Sequence, residues 1–371
     1  MRIALLTRNF SRMAGGAESY AISVAQELAR HHEIHVFCQE TDEPVSGAIY
    51  HLVKRPCRRP RWINQIYYAL ATWWQTRHGY DVVHSHEHVF HGQVQTLHVQ
   101  PVARGIWGQR KGWRLILRAL SVLTSPRRMT YAWLESARMK VIDGRRLVFA
   151  SPQLMSDFLP FYPGIESISH VIPPGVQCPV APMDRGGSRQ ALAWNVNESW
   201  LLFVANDYQR KGLDTLLEAM VELPSSFRLA VVGRASQQAT YTAKVAQKGL
   251  SNRIQFLGPR HDVHRLMAAA DLLVHPTLED SFGMVVLEAM AMGLPVIVSP
   301  APYCGMSADL THLKQAWLLS SPKDALGIAD AVREVLGNKS LRQSLMSGGL
   351  EEARHRSWAD AALKYEKIFT S

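Results

Sequence analysis

Two acidic residues eight positions apart, in the segment from His275 to Ser299, have the types and spacing to bind a polar ligand. The segment predicts the end of a buried strand, a short acidic turn, a helix and a second hydrophobic strand. Asp280 lies in the turn, and Glu288 lies about two turns into the helix. The first amides of a helix carry partial positive charge and suit a phosphate or a sugar hydroxyl. The sequence therefore predicts a site for a polyhydroxylated ligand that bears a phosphate.

The turn before this helix predicts close contact between backbone and ligand. Glycine lets the chain approach a ligand without a side chain in between. The residues predicted to make these contacts are Phe282, Gly283, Met284 and Val285. The alternative is an ordinary amphipathic helix with Asp280 as its N-cap.

Two adjacent cations, Arg210 and Lys211, lie between a predicted strand at 200–205 and a predicted helix at 213–223. A helix start disfavours positive charge, so this local conflict indicates function. Arginine offers a planar fork and lysine a compact charge, and together they would neutralise a leaving diphosphate. We expect both side chains to face solvent. The alternative is a solvated basic helix start.

A glycine pair, Gly15 and Gly16, lies between the first predicted strand and a helix predicted at 17–29. It indicates either a loop that approaches the ligand or a plain tight turn. His98 lies near the end of another predicted strand, at 95–99. If the preceding strand continued through HSHEH, His84, His86 and His88 would share one face, and a zinc site is the alternative for that set.

The acidic-x7-Glu pattern, with Arg210-Lys211 and the GGAE loop, resembles the retaining nucleotide-sugar glycosyltransferases of the family 4 type. The likeness extends to the lipopolysaccharide-core glucosyltransferases, and it covers nearly the whole chain. It implies the GT-B fold, in which two Rossmann-like parallel-sheet domains face a cleft. The sequence departs from the family's pattern at Asp280, where Glu is usual, and Glu279 beside it is an alternative participant.

The resemblance also implies roles for single residues. Asp280 would hold the donor sugar, Glu288 the ribose hydroxyls, and Arg210 with Lys211 the pyrophosphate. His98 would position the donor sugar. The loop with Arg260 would cup the base; its alternative is a turn in which Asp262 caps the next helix. The glycine loop would approach the diphosphate and the acceptor. No metal or other cofactor is expected.

The 371 residues suffice for two α/β domains, and strands alternate with helices in both halves. We predict an acceptor-side domain at 1–170, completed by a helix at 355–371 that crosses back. A nucleotide-sugar domain is predicted at 171–354. The four cysteines are scattered and predict neither zinc nor disulfides, which fits a reducing cytoplasm. No run is long and apolar enough to cross a membrane.

The formal net charge of +10 belongs almost wholly to the first half. Residues 1–170 hold 21 Lys and Arg against 12 Asp and Glu, a net of +9; the rest hold 20 against 19, a net of +1. A domain with this charge excess is expected to bind an anionic partner. Two basic, aromatic stretches carry much of the positive charge: 54–62, which is followed by several Tyr and Trp residues, and 104–128.

The second stretch interleaves Trp and Leu with cations and predicts contact with an anionic bilayer surface or a phosphorylated acceptor. The cations singled out are Arg104, Arg110, Lys111, Arg114 and Arg118. The alternative is a solvated basic helix packed on its Leu side.

These features predict a metal-independent retaining enzyme in the cytoplasm, peripheral on the inner face of the membrane. It would move a hexose, first of all glucose from UDP-glucose, to a lipopolysaccharide-core or other envelope glycan or glycolipid, phosphorylated or not. One alternative is a sugar-nucleotide epimerase or phosphorylase on the same fold. A nucleic-acid-binding protein is the other, but no nucleic-acid-reading motif is present.

Overall fold

The computed structural model describes residues 1–12, 15–42, 44–108, 112–113, 117, 121–122, 124–181, 183–234 and 236–370. The chain forms two compact units. The first comprises Met1–Pro174 and Trp358–Ser371, and the second comprises Gly175–Ser357. Each is an α/β unit around a parallel sheet, which confirms the predicted fold class.

Up to residue 174 the chain forms strands and helices in alternation. The strands are β1 (Arg2–Leu6), β2 (Asn9–Phe10), β3 (Glu33–Cys38), β4 (Glu40–Thr41), β5 (Ala48–Leu52), β6 (Val82–Ser85), β7 (Val94–Leu97), β8 (Arg146–Phe149) and β9 (Ser169–Val171). The helices are α1 (Gly16–Leu28), α2 (Arg61–Thr76), α3 (Val102–Trp107), α4 (Pro126–Arg138) and α5 (Pro152–Phe158). A 3₁₀ turn, Ile165–Ile168, precedes β9.

From residue 175 onward the same alternation begins again. The strands are β10 (Ser199–Val204), β11 (Phe227–Val232), β12 (Ile254–Gly258), β13 (Leu272–His275), β14 (Val296–Val298) and β15 (Trp317–Leu318). The helices are α6 (Arg185–Ala191), α7 (Leu213–Glu222), α8 (Gln238–Gln247), α9 (Val263–Ala269), α10 (Met284–Ala291), α11 (Ala325–Gly337), α12 (Lys339–Arg354) and α13 (Trp358–Phe369), with a 3₁₀ turn at Gly305–Asp309.

The sheet of the first unit has the strand order β5-β3-β1-β6-β7-β8-β9, and every pair is parallel. Its interior strand β1, between β3 and β6, is almost wholly apolar and buried because helices cover both faces of the sheet. On one face α1 packs against α13, so the last helix belongs to this unit. On the other face α2 packs beside α4.

The second sheet has the order β12-β11-β10-β13-β14-β15, again parallel. Its β10 and β13 are neighbours, so the loops that follow them meet at the carboxyl edge, where the strands end. The register pairs Leu201 with Leu272 and Leu202 with Leu273, all fully buried.

Several boundaries differ from those predicted. The strand expected at 95–99 ends at Leu97, so His98 lies in the following loop. The predicted linker at 171–176 begins inside β9, a strand that the prediction missed. β6 ends at Ser85, so the conditional alignment of His84, His86 and His88 on one strand face is wrong.

Candidate functional site

The candidate site of the second unit lies where two loops meet at the carboxyl edge of its sheet. One loop runs from β10 to α7, and the other from β13 to α10. The Leu278 amide donates to the Arg210 carbonyl over 2.9 Å. Gly212 has a φ of +81°, and a Cβ there would lie 1.9 Å from the Pro276 carbonyl oxygen. Only glycine therefore lets the two loops approach this closely.

This meeting brings Lys211 and Asp280 together. The Lys211 Nζ lies 2.5 Å from Asp280 Oδ2, and it also donates to the Glu279 carbonyl over 3.1 Å. Both side chains are largely buried, with 14% of Lys211 and 19% of Asp280 exposed. The expectation that Lys211 faces solvent is therefore wrong, because the second loop covers it. Arg210 is about half exposed, as expected.

Asp280 is held as a carboxylate. Burial would raise its pKa, but the Lys211 ammonium and a 3.0 Å hydrogen bond with His275 Nε2 keep the pKa well below its ordinary value. Burial lowers the pKa of His275, so its ring is neutral near pH 7 and donates through Nε2. A phosphate placed here would share the Lys211 donors with Asp280.

The start of α10 lies beside this pair. Gly283 is its N-cap, with a φ of +100°, and a Cβ there would lie 2.6 Å from the Cys304 sulfur. The alternative in which Asp280 caps this helix is therefore wrong. The Cys304 thiol donates to the Phe282 carbonyl over 3.2 Å, and burial raises its pKa to about 12, so it stays protonated.

One side of α10 is open while the rest is packed. Its half-buried residues are Met284, Val285 and Glu288, which share one face at helical spacing. Its other side chains are buried: Val286, Leu287, Ala289, Met290 and Ala291. Of the contacts predicted around α10, Met284, Val285 and Glu288 therefore lie on one accessible helix face, while Phe282 and Gly283 lie buried in the turn before it.

Two other charged side chains flank the second sheet's edge. Arg210 lies 3.5 Å from Asp207 and 3.7 Å from Glu279, so the acid beside Asp280 engages the exposed cation. Arg260 follows β12, two strands away from β10, and forms a bidentate pair with Asp262 at 2.7 and 2.6 Å. Asp262 is the N-cap residue of α9, as the alternative expected, but its carboxylate binds Arg260 and makes no side-chain cap bond to the helix.

In the first unit, the glycine pair starts α1. Gly15 is the N-cap and Gly16 is the first helical residue. A Cβ on Gly15 would lie 3.0 Å from Glu18 Oε2, so the glycine leaves room for this carboxyl group. Burial raises the pKa of Glu18. The sequence prediction missed Glu18, although it is the last residue of the GGAE motif.

His98 lies at the carboxyl edge of the first unit's sheet, in the loop after β7. Its Nε2 is 2.9 Å from His86 Nδ1, and its ring is 4.9 Å from that of Tyr20. Burial, with the charge of Arg138, lowers the pKa of His98 to about 3. The imidazole is therefore neutral at pH 7 and offers a hydrogen bond rather than a charge.

His84 belongs to a buried chain of hydroxyl groups. Its Nε2 is 2.8 Å from the Thr96 hydroxyl, which is 2.8 Å from the Tyr365 hydroxyl. Tyr365 is 2.9 Å from Tyr20, which donates to the Ile172 carbonyl over 3.0 Å. Since that chain ends on an acceptor, each group donates to the next, and His84 carries its proton on Nε2.

Three residues of this edge were missed by the sequence prediction: Arg8, Glu87 and Arg138. Glu87 accepts from the Arg8 amide over 3.1 Å and from its Nε over 3.0 Å. Arg138 of α4 is buried and donates to Gln95 over 3.0 Å and to the Thr96 carbonyl. Arg8 and Glu87 follow β1 and β6, so a rule that charged residues at strand ends form sites would have found them.

Of the predicted membrane or acceptor cations, Arg104 is described and the rest lie outside the described residues: Arg110, Lys111, Arg114 and Arg118. Arg104 lies 3.3 Å from Asp157 and donates to Gln100 over 2.8 Å. Within the described ranges, no group of three His, Cys, Asp or Glu side chains is placed to hold a metal ion. No helix there is long and apolar enough to cross a bilayer.

Comparison with known families places both units. The family described as "Glycosyl transferases group 1" matches residues 184–351. "Glycosyltransferase Family 4" matches residues 14–178. Lipopolysaccharide glucosyltransferase WaaG of Escherichia coli K12 is 30% identical over 234 residues, a match that spans 61% of each chain. D-inositol 3-phosphate glycosyltransferase of Corynebacterium diphtheriae is 25% identical over all of this chain and 94% of its own.

The chain is also similar to solved structures over its full length. The crystal structure of WaaG superposes with a TM-score of 0.86 at 25% identity, covering all of both chains. Sucrose-phosphate synthase of Thermosynechococcus elongatus has a TM-score of 0.79 at 21% identity, covering 100% and 98%. The Anabaena protein HepE in complex with UDP-glucose has a TM-score of 0.78 at 19% identity, covering 100% and 99%.

Proposed function

Since the chain belongs to the glycosyltransferases of group 1 and family 4, with the GT-B fold, we propose that it is a retaining hexosyltransferase that uses UDP-glucose. The family and the enzyme class predicted from the sequence are confirmed. Two likenesses support the proposed donor: a relative named as a lipopolysaccharide glucosyltransferase, and a similar fold solved with UDP-glucose.

One observation carries this proposal most directly. Lys211 and Asp280 are joined at the carboxyl edge of the second sheet, beside the start of α10 and its open face with Glu288. A cation, a carboxylate and helix amides within one small region suit a sugar diphosphate. In the proposed complex Asp280 holds the sugar, Glu288 the ribose, and Arg260 lies beside the base.

The proposed reaction keeps the configuration at the sugar's anomeric carbon. The acceptor hydroxyl attacks that carbon from the face on which the diphosphate leaves. The carbon–oxygen bond to phosphate breaks, and the acceptor proton passes to the leaving phosphate oxygen. Lys211 and Arg210 stabilise the charge that develops there, at about 3 kcal/mol for each well-placed donor. His98, neutral at pH 7, positions the sugar, and the chemistry needs no metal.

The acceptor is proposed to be an envelope glycan or glycolipid, such as the lipopolysaccharide core. The inositol phosphate named for one relative favours an acceptor that carries phosphate. The first unit, with its glycine loop and its charge excess, would bind this acceptor. We place the enzyme in the cytoplasm, on the inner membrane face, with the 104–128 segment toward anionic headgroups.

The test measures release of nucleoside diphosphate from UDP-glucose, UDP-galactose, ADP-glucose and GDP-mannose, with and without lipopolysaccharide-core acceptors. We expect UDP-glucose to give acceptor-dependent release and an α-linked product by NMR. Activity should persist in EDTA, because Arg210 and Lys211 take the place of a divalent ion at the diphosphate.

Three outcomes would contradict the proposal. A β-linked product would exclude retention. Loss of activity in EDTA, restored by a divalent cation, would exclude the metal-free route. Conversion of UDP-glucose to another UDP-hexose, or cleavage of a glycoside by inorganic phosphate, would favour the epimerase or phosphorylase alternative.

A further inference from the structure

His275 is the polar end of an otherwise apolar strand. It is the last residue of β13, where three apolar residues precede it, and all four are buried. It pairs with Val298 of β14, and its carbonyl accepts from the Ser299 amide over 3.2 Å. Because β13 lies between β10 and β14, the imidazole is attached to a rigid part of the sheet. The ring therefore holds a defined position at the carboxyl edge.

The imidazole of His275 uses one of its two nitrogens. Nε2 lies 3.0 Å from Asp280 Oδ2. Nδ1 is buried and has no hydrogen-bond partner among the residues that the structure describes. A buried polar atom without a partner costs stability, and an aliphatic side chain at this position would avoid that cost. A residue that conflicts with the stability of its own strand indicates a role in the site.

His275 and Lys211 bind the same oxygen of Asp280. The Lys211 Nζ lies 2.5 Å from Oδ2, so this oxygen accepts from two donors, which fills its lone pairs. Among the described residues, Oδ1 is in contact with the Phe282 amide over 3.4 Å, which is longer than an ordinary N–H···O bond. Oδ1 therefore keeps the capacity to accept a further, shorter bond.

The backbone of Asp280 is fixed independently of its side chain. Its amide donates to the Tyr303 carbonyl over 2.8 Å, and its carbonyl accepts from the Gly305 amide over 3.0 Å. The torsion that turns a carboxylate is broad and nearly twofold, so a single cation would let the two oxygens exchange places. A second donor that is fixed to the sheet removes this freedom.

Lys211 also keeps a donor for a ligand. Its ammonium group has three N–H donors. Within the described part of the chain, one is used by Asp280 and one by the Glu279 carbonyl. The pair thus offers one carboxylate oxygen and one ammonium N–H side by side. A sugar hydroxyl, which donates, and a phosphate oxygen, which accepts, match these two groups.

We propose that His275 is a positioning residue for the donor sugar. By holding Oδ2 beside Lys211, it leaves Oδ1 of Asp280 to accept a hydrogen bond from a sugar hydroxyl. The His275 side chain is only 1% exposed, so it acts through Asp280 and does not touch the donor. This inference rests on the proposed function, in which Asp280 holds the sugar of a nucleotide sugar.

The test compares the binding of UDP-glucose and UDP by calorimetric titration, without an acceptor. His275→Leu should raise the Kd for UDP-glucose about tenfold, because Asp280 loses one of its two fixed donors, and should leave the Kd for UDP unchanged. His275→Gln should restore most of the affinity, since its amide can donate from a similar position. His91→Leu is the control, because the buried ring nitrogens of His91 make no hydrogen bond with the described residues. It should bind both ligands as the wild type does.

A double variant tests whether His275 acts through Asp280. Asp280→Ala/His275→Leu should bind UDP-glucose no more weakly than Asp280→Ala alone, because the second change removes a bond that is already lost. Thermal unfolding of each variant shows that it is folded. A role limited to the stability of the sheet would instead give effects that add, and these would extend to UDP.

Three results would overturn the inference. They are a wild-type Kd for UDP-glucose in His275→Leu, additive losses in the double variant, and an equal loss of UDP and UDP-glucose binding. Failure of the proposed function is distinguishable from these. A wild type with no affinity for UDP-glucose or the other sugar nucleotides would overturn the proposed function and this inference with it, whereas wild-type affinity with an unaffected His275→Leu would overturn the inference alone.

Discussion

The carboxyl edges of the two sheets are built from similar strands, yet they gather their polar residues in different ways. In the second unit, Lys211 and Asp280 come from two neighbouring loops and pair directly. In the first unit, Arg8 and Glu87 also pair from loops after neighbouring strands, β1 and β6, but Arg138 reaches the edge from helix α4. The first site therefore depends on a buried side chain from a separate helix, whereas the second depends on the backbone fit of two loops.

The largest effect is expected at Lys211. Lys211→Ala removes a cation from the diphosphate and leaves the Asp280 carboxylate without its ammonium partner. Turnover should fall by about 100-fold or more, and Tm should fall as well. Arg210→Ala, at an exposed position, should lower turnover with little change in Tm. Equal melting temperatures for both variants would contradict the structural difference between the two cations.

Gly212 tests the backbone fit of the second unit. Gly212→Ala forces a Cβ against the Pro276 carbonyl in addition to a left-handed φ, and should cost about 3 kcal/mol of unfolding free energy. Gly249→Ala is the control, because its φ of +69° is also left-handed but no atom lies within 4 Å of the added Cβ. It should cost about 1 kcal/mol in urea unfolding. Similar losses would show that the loop contact is unimportant.

His84 tests the buried side chains of the first unit. Burial lowers its pKa to about 3, while in the unfolded chain it binds a proton below about pH 6.5. Stability from this residue is therefore complete above pH 6.5 and falls as the pH drops toward 3, by about 1.4 kcal/mol per pH unit. Urea unfolding at pH 7, 6 and 5 should show a shallower loss in His84→Gln. A slope in that variant equal to the wild-type slope would contradict this.

Glu288 is expected to give the smallest effect. Glu288→Ala should weaken UDP binding about tenfold, the equivalent of 1.4 kcal/mol, without changing the fold, since the residue lies on the open face of α10. Calorimetric titration with UDP measures it. Asp280→Ala should instead impair turnover more than UDP affinity. Equal UDP affinity in Glu288→Ala and the wild type would remove the ribose role.

The comparison explains what the sequence could predict. In the second unit, glycines and charged residues at strand ends predict the loops around Arg210 and Asp280, because those signals are local in sequence. The sequence does not predict the burial of Lys211, which depends on the other loop covering it. Burial is a property of tertiary packing, and no local pattern contains it.

In the first unit, the sequence prediction gave the glycine loop and His98 but missed what holds them. Tyr365 reaches Thr96 across most of the chain, and Arg138 joins β7 from a separate helix. The sequence prediction also included no helix at Arg61–Thr76, where α2 lies.

The hydrogen bonds of Tyr365 have a consequence for the order of events on the ribosome. Residues 1–174 leave the exit tunnel first, yet α13 must cover α1, and Tyr365 must close the chain of donors that begins at His84. The second unit is continuous and is synthesised entirely before α13. The first unit therefore cannot complete its fold until the second unit and α13 have been synthesised, and until then the α1 side of its core is uncovered. A ribosome that stalls within residues 175–357 leaves a nascent chain that exposes this core and becomes a substrate for chaperones.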